Sequence, residues 1–142
     1  MGWLPKNRIV VPVDFSDESM AAVDTALLMV GSAEDVHLIH VLRELSPLEP
    51  GEVWDTVTTE NRMEFAKQSL RERLNDAKYE NLTIKILLGD PGHEIAKYAE
   101  EVSADLIVLP SHGRTGLSHL LIGSVAERVV RLAHCGVLVL RK

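Results

Sequence analysis

The chain has 142 residues, of which 46% are hydrophobic and 4% aromatic, and its formal net charge is -6. This length predicts one domain, residues 1–142, with a core built mainly from Val, Leu, Ile and Ala. Binding to a phosphate backbone relies on clustered Lys and Arg, so the acidic balance and the lack of such a cluster argue against a nucleic-acid partner.

The opening residues carry no targeting pattern. The apolar run that begins at Ile9 is short and is interrupted by Pro12 and Asp14, unlike a secretory signal, and no segment of the sequence approaches a membrane span. The single cysteine, Cys135, has no second cysteine with which to form an internal disulfide. We therefore expect a cytoplasmic protein without a membrane partner.

Five short apolar runs alternate with helical patterns along the chain, which is typical of an α/β domain with a parallel sheet and right-handed crossovers. The predicted strands cover residues 8–14, 36–42, 82–88, 105–110 and 136–141. The first helix is predicted to start after Ser16, a residue type common at the N-cap, with acidic residues in its first turn. Gly31 is its predicted end.

The second predicted helix runs from about residue 56 to about residue 78. Its apolar positions recur at helical spacing on one stripe, and charged residues cover the other side. The stripe consists of Met63, Ala66, Leu70, Leu74 and Ala77. Residues 45–55, just before this helix, contain two prolines and a glycine, and this composition predicts an irregular surface segment.

The last two predicted helices each follow a strand. The first of them begins at the turn Gly89–Gly92 and runs to about Val102. The second begins near Ser124, and its inner face is predicted to consist of Val125, Val129 and Leu132.

A glycine-containing loop joins the fourth predicted strand to the start of the last helix. Gly113, Gly116 and Gly123 permit close approach of the backbone to a ligand, and Ser124 lies where the helix begins. The start of a helix offers unpaired amides and the positive end of the helix dipole, which together stabilise an anion. The loop therefore predicts a phosphate-binding site.

The spacing of this loop resembles that of the universal stress protein family. Nucleotide-binding members carry a glycine, two residues, a second glycine, nine residues, and then a glycine with serine or threonine. Gly113, Gly123 and Ser124 match the last three of these positions, and Pro110 occupies the first. The resemblance also covers the opening strand 9–14, residues 38–41, the turn 89–91 and the final strand 136–140.

The resemblance implies an open, doubly wound, five-stranded parallel sheet of order 3-2-1-4-5, with the ligand crevice between strands one and four. The implied ligand is ATP or AMP, with room for Mg²⁺ carried on the nucleotide phosphates. Asp14 would lie beside the adenosine portion, and main-chain groups of Val41 would recognise adenine. The implied site comprises Pro12, Val13, Asp14, Val41, Pro110, Ser111, His112, Gly113, Arg114, Gly123, Ser124 and Val125.

Several of these residues have a second interpretation. Asp14 suits a turn with Ser16 or the capping of the first helix, the glycines suit turn geometry without any ligand, and Arg114 suits a solvated loop. Pro110 lacks an amide hydrogen. One lost neutral hydrogen bond is worth about 0.5–1.5 kcal/mol, roughly a threefold to tenfold loss of affinity, so this proline alone need not abolish binding.

Three functions stay open on the sequence. The first is an adenine-nucleotide-binding regulatory stress-response protein, which acts as a conformational or interaction switch. The second is a dimeric universal stress protein that binds no nucleotide and acts through partner contacts, and the third is a slow ATP hydrolase. No P-loop or nucleophile elbow is present, which favours binding over catalysis. The apolar final strand, Val137–Leu140, predicts a homodimer, because a free strand edge invites pairing.

Overall fold

A computed structural model describes residues 3–44, 58–112 and 122–141. The strands are β1 (Ile9–Pro12), β2 (Val36–Leu42), β3 (Thr83–Leu88), β4 (Leu106–Pro110) and β5 (Gly136–Leu140). The helices of the described part are α1 (Asp17–Leu27), α2 (Thr59–Arg73), α3 (Pro91–Glu101) and α4 (Ser124–Leu132), with short 3-10 turns at Ala33–Asp35 and Ala77–Tyr79. Within the described ranges, no helix has the length and apolar character needed to cross a membrane.

The strands form one parallel sheet in the order β3-β2-β1-β4-β5, which confirms the predicted α/β fold and its strand order. In the central register, Ile9 of β1 lies between Val36 of β2 and Leu106 of β4. Residues 9–11 have no exposed surface, as expected for a strand covered on both faces. The carboxyl ends of all five strands therefore lie along one border of the sheet, called here the carboxyl edge.

Helices cover both faces of this sheet. Side chains of α1 and α2, including Val23 and Leu70, pack on one face, called here the α1/α2 face. Side chains of α3 and α4, including Ile95 and Val129, pack on the opposite face, the α3/α4 face. This double winding leaves the loops at the carboxyl edge to build a site. That residues 1–142 form one domain stays a prediction.

The first helix starts as predicted and ends earlier. Ser16 is its N-cap, and the Ser16 hydroxyl accepts a hydrogen bond from the Ser19 amide at 3.1 Å. The helix ends at Leu27 and not at Gly31, because the chain there leaves helical geometry to pair with the N-terminal segment. The Lys6 amide donates to the Met29 carbonyl at 2.7 Å, and Lys6 forms a parallel bridge with Val30.

Two predicted helical faces need correction at their ends. Ala66 and Leu70 of α2 and its C-cap residue Leu74 are buried, but Ala77 lies beyond the helix in an exposed 3-10 turn that the Asp76 carboxylate caps. The turn-forming pair Asn75 and Asp76 separates the two elements. In α4, Leu132 is 40% exposed and does not belong to the inner face. The buried residues of this helix are Ala126 and, one turn later, Val129. The predicted surface segment 45–55 lies outside the described residues.

Candidate functional site

The strand order reverses between β1 and β4, and the candidate site lies at this point of the carboxyl edge. From β1 the chain moves outward to β2 and β3, whereas β4 and β5 build the other side of the sheet. Pro12 ends β1 and Pro110 ends β4, so the segments that follow them leave the sheet side by side. This is the position at which open parallel sheets bind ligands.

The chain stays attached to β2 for one residue beyond the end of β1. The Val13 amide donates to the Ile39 carbonyl at 2.8 Å, and the Val13 carbonyl lies 2.6 Å from Nδ1 of His40. Both polar groups of the Val13 backbone are therefore held by β2. Val13 itself is buried, with 3% of its surface exposed.

A tight turn of residues 13–16, called here the β1 turn, follows β1 and contains Asp14. The Asp14 amide donates to Oγ of Ser19 at 3.2 Å, and Oδ1 of Asp14 accepts from the Ser16 amide at 3.0 Å and from the Ser16 hydroxyl. Phe15, between them, has a φ of 66°, in the left-handed region that non-glycine residues rarely adopt. The contact between Asp14 and Ser16 predicted from the sequence is thus present, and the cap itself is Ser16.

Val41 lies near the end of β2, opposite Leu87 of β3. Its side chain is partly buried and packs on the α3/α4 face. The neighbouring His40 lies on the opposite face, where its ring meets the Phe15 ring edge-on with 5.0 Å between centroids. Main-chain groups of Val41 are therefore close in sequence to the histidine that holds the β1 turn.

Ser111 ties the beginning of the β4–α4 loop to its end. The Ser111 amide donates to the Leu140 carbonyl at 2.8 Å, and the Ser111 carbonyl accepts from the Gly123 amide at 2.6 Å. Its hydroxyl is 3.2 Å from Nδ1 of His112, while the buried Nε2 of His112 has no hydrogen-bond partner among the residues that the structure describes. These bonds bring the start of α4 to the end of β4. Gly113 and Arg114, predicted site residues of this loop, lie outside the described residues.

Gly123 is the N-cap of α4, and Ser124 is the first helical residue. The first intrahelical bond runs from the Glu127 amide to the Gly123 carbonyl at 2.9 Å, so the three preceding amides, of Ser124, Val125 and Ala126, have no acceptor within the helix. Gly123 has φ −75° and ψ 165°, which any residue type adopts. Its contribution at this position is therefore the absence of a side chain beside the helix start, not a special backbone conformation.

Sequence reasoning missed the residues that support the β1 turn. His40, Ser19 and Phe15 were absent from the predicted site, although all three contact the turn or form part of it. A usable signal was present, since a histidine between apolar residues near the end of a strand needs a polar partner. A short φ-positive turn at a non-glycine residue leaves no comparable sequence signal.

Comparison with known proteins agrees with this architecture. The model of the universal stress protein family matches residues 6–141. The chain is 39% identical to universal stress protein MJ0531 of Methanocaldococcus jannaschii, with 96% of this chain and 82% of that protein aligned. It is 31% identical to universal stress protein YxiE of Bacillus subtilis, with 95% and 99% aligned.

Solved structures give the same result. The structure of protein MJ0577, which is also from M. jannaschii, has a TM-score of 0.78 and 29% identity, and the match covers 98% of both chains. A universal stress protein solved in complex with cAMP has a TM-score of 0.66 and covers 96% of this chain and 97% of its own, and at 24% identity its likeness concerns the fold. Family model, relatives and fold agree, and this chain belongs to the universal stress protein family.

Proposed function

We propose that this protein binds an adenine nucleotide, ATP or AMP, at the carboxyl edge between β1 and β4. In this proposal it is a regulatory stress-response protein in which the bound nucleotide changes conformation or partner contacts. The observation that carries the proposal is the bond between the Gly123 amide and the Ser111 carbonyl at 2.6 Å, which holds the start of α4 against the end of β4.

The start of α4 supports an anionic ligand. Three consecutive amides without an intrahelical acceptor and the positive end of the helix dipole favour negative charge there. Ser124 is exposed, so its hydroxyl is available to a phosphate oxygen, and the buried Gly123 adds no side chain that would hold the phosphate away. These groups suit the phosphates of the nucleotide, with Mg²⁺ carried on the phosphates and not by a dedicated protein site.

The β1 turn supports the other end of the nucleotide. Asp14 is oriented by Ser16, and it follows β1, which pairs with β4, the strand that Ser111 follows. In the proposal Pro12, Val13 and Asp14 line the adenosine, and main-chain groups of Val41 recognise adenine. One universal stress protein of this fold was solved in complex with cAMP. That complex belongs to the other protein, and it supports an adenine nucleotide as the first ligand to test here.

Isothermal titration calorimetry of the ligand-free protein tests this function. ATP and AMP are each added with and without Mg²⁺, and GTP serves as the control that shares the phosphates but not the base. We expect saturable binding of ATP or AMP and weaker binding of GTP. If millimolar ATP gives no binding to the folded protein, the nucleotide proposal is wrong. Chromatography of the same mixtures measures ADP formation and so tests the slow-hydrolase alternative.

A second candidate, a family member that binds no nucleotide, has one observation in its favour. Pro110 ends β4 opposite Leu140, and a proline at this position has no amide to offer a phosphate. The next amide, of Ser111, is already bonded to Leu140. In this candidate the loop only joins β4 to α4, and the functional element is the dimer surface.

We also propose that the protein forms a homodimer through β5. This strand is at the edge of the sheet, and its residues Val137–Leu140 are only partly buried, so a second copy would cover apolar side chains and pair free backbone groups. Light scattering is expected to give about twice the mass of 15.7 kDa, and Leu138→Lys is expected to shift it toward one copy. A monomeric mass at micromolar concentration would contradict the dimer. The cytoplasmic location stays a prediction.

A further inference from the structure

We infer that His40 is a positioning residue for the nucleotide, because it holds the Val13–Asp14 turn in the shape that lines the adenosine end of the site. The inference rests on the proposed nucleotide-binding function. It adds to that function a side chain outside the implied set of site residues, which acts through the backbone of Val13.

The hydrogen bond between His40 and Val13 has a defined direction. Nδ1 of His40 lies 2.6 Å from the Val13 carbonyl, and a carbonyl oxygen only accepts, so Nδ1 carries the hydrogen. This is true of the neutral ring with hydrogen on Nδ1 and of the charged ring alike. On the other side of the same residue, the Val13 amide donates to Ile39. Two consecutive residues of β2 therefore fix both polar groups of Val13.

The turn that this bond supports does not have a relaxed backbone. Phe15 has a φ of 66°, a conformation that is unfavourable for a bulky side chain and persists only where its surroundings enforce it. The His40 ring meets the Phe15 ring edge-on, at 5.0 Å between centroids and 74° between planes. His40 thus contacts both the residue before Asp14 and the residue after it.

A second restraint reaches the turn from α1. Oγ of Ser19 accepts from the Asp14 amide at 3.2 Å and donates to the Ser16 carbonyl at 2.9 Å. Ser19 is 1% exposed, so these bonds are shielded from water. A strained turn held both from β2 and from α1 is preorganised, and a preorganised site loses less freedom when a ligand binds.

His40 also lies next to the residue that is proposed to recognise adenine. His40 precedes Val41 directly in β2, and its side chain reaches across to β1. Loss of the His40 hydrogen bond is therefore expected to loosen Val13 and Asp14 relative to Val41. The phosphate end, built on Ser111 and α4, makes no described contact with His40.

The test compares two substitutions of His40 with a matched histidine elsewhere on β2. His40→Phe keeps a ring beside Phe15 and removes the donor, whereas His40→Asn keeps a side-chain N–H donor and removes the ring. His37→Phe is the control, because His37 lies three residues earlier and bonds to Tyr98 of α3 at the other end of the sheet. Calorimetry with ATP measures binding to the whole site, and calorimetry with inorganic tripolyphosphate measures binding to the phosphate end alone. Urea unfolding checks that every variant is folded.

We expect His40→Phe to weaken ATP binding by about threefold to tenfold, the effect of one lost hydrogen bond, and to leave tripolyphosphate binding unchanged. His40→Asn is expected to recover most of the ATP affinity, and His37→Phe to retain all of it. Ser19→Ala, which loosens the same turn from α1, serves as a second variant if His40→Phe does not fold, with a loss of about threefold expected.

The outcomes separate the inference from the function on which it rests. If the unchanged protein binds ATP, and folded His40→Phe and Ser19→Ala bind it with the same affinity as the unchanged protein, the positioning role is overturned. The proposed function then stays intact. An equal loss for ATP and tripolyphosphate also overturns it, because the effect is then not confined to the adenosine end. If the unchanged protein binds no ATP, the proposed function fails and the inference fails with it.

Discussion

The two histidines of β2 differ in the part of the molecule that they serve. His37 lies at the amino end of the strand, on the α3/α4 face, where its Nδ1 is 2.8 Å from the Tyr98 hydroxyl. His40 lies at the carboxyl end, on the other face, where it fixes the β1 turn. The same residue type therefore joins a helix to the sheet at one end of the strand and shapes a turn at the other.

The surroundings of His37 show what the amino end does. Arg8 donates to the Val102 carbonyl at 2.6 Å, and the Asp105 carboxylate accepts from the amides of Asn7 and Arg8 at 2.9 and 3.1 Å. These contacts join the start of β1 to the start of β4. At the carboxyl edge the corresponding segments are held by Ser111 and by the β1 turn, and between them helix-start amides stay without intrahelical acceptors. One end of the sheet is closed by these contacts, and the other carries the helix-start amides that the proposed function assigns to a ligand.

Among the substitutions that test this difference between the two ends of the sheet, Gly123→Val is expected to have the largest effect on ATP affinity. The valine side chain fills the approach to the α4 amides, so we expect ATP affinity to fall by more than about tenfold, as for an overpacked contact. The backbone at position 123 has a φ of −75°, which suits valine, so the loss of affinity does not come from backbone strain. Ser124→Ala, which removes one hydroxyl bond, is expected to cost about threefold. Calorimetry measures both, with circular dichroism as the folding control, and equal small losses would remove Gly123 from the phosphate site.

Tyr98→Phe tests the amino end. Tyr98 is 9% exposed and its hydroxyl is the partner of His37, so we expect the free energy of unfolding to fall by about 1 kcal/mol with unchanged ATP affinity. Tyr79→Phe is the matched control, because the Tyr79 hydroxyl bonds to Asp24 on the exposed surface and its loss is expected to cost less. Urea unfolding gives both values. A loss of ATP affinity in Tyr98→Phe would break the division between the two ends.

The pH dependence of the free energy of unfolding is expected to show the titration of His37. Burial, and secondarily the Arg8 charge, lower the pKa of His37 from 6.5. Between the folded pKa and pH 6.5, the unfolded chain therefore binds a proton at His37 that the folded protein does not bind. The contribution of His37 to the free energy of unfolding is complete above pH 6.5 and is lost as the pH falls through the folded pKa. We expect His37→Phe to flatten this acid-side loss in urea unfolding. Identical slopes in the two proteins would contradict the assignment.

The smallest effect is expected from Pro110→Gly. The glycine restores an amide at the first position of the family spacing, so ATP affinity should stay the same or rise by up to about threefold. The added flexibility of the unfolded chain should lower the free energy of unfolding by up to about 1 kcal/mol. Calorimetry and urea unfolding measure the two quantities. A clear loss of affinity in the folded variant would mean that the rigid proline organises the loop.

Sequence patterns predicted the strands well because buried parallel strands are nearly continuous apolar runs, as in Leu106–Pro110. They failed where tertiary contacts decide the outcome. The end of α1 depends on pairing between Lys6 and Val30, which are distant in sequence. The role of His40 depends on a carbonyl of another strand, and the cap at Gly123 depends on the bond to Ser111. The proposed site positions came from the resemblance to the family, and the contacts around them, such as the bond between His40 and Val13, came only from the structure.

Nuclear magnetic resonance of the ¹⁵N-labelled protein during an ATP titration tests the central claim most directly, because each backbone amide reports its own surroundings. We predict that the amide signals of Asp14, Val41, Gly123, Ser124 and Val125 shift together and saturate, while those of His37 and Tyr98 stay in place. Shifts centred on the amino end, or none at millimolar ATP, would contradict an adenine-nucleotide site at the carboxyl edge.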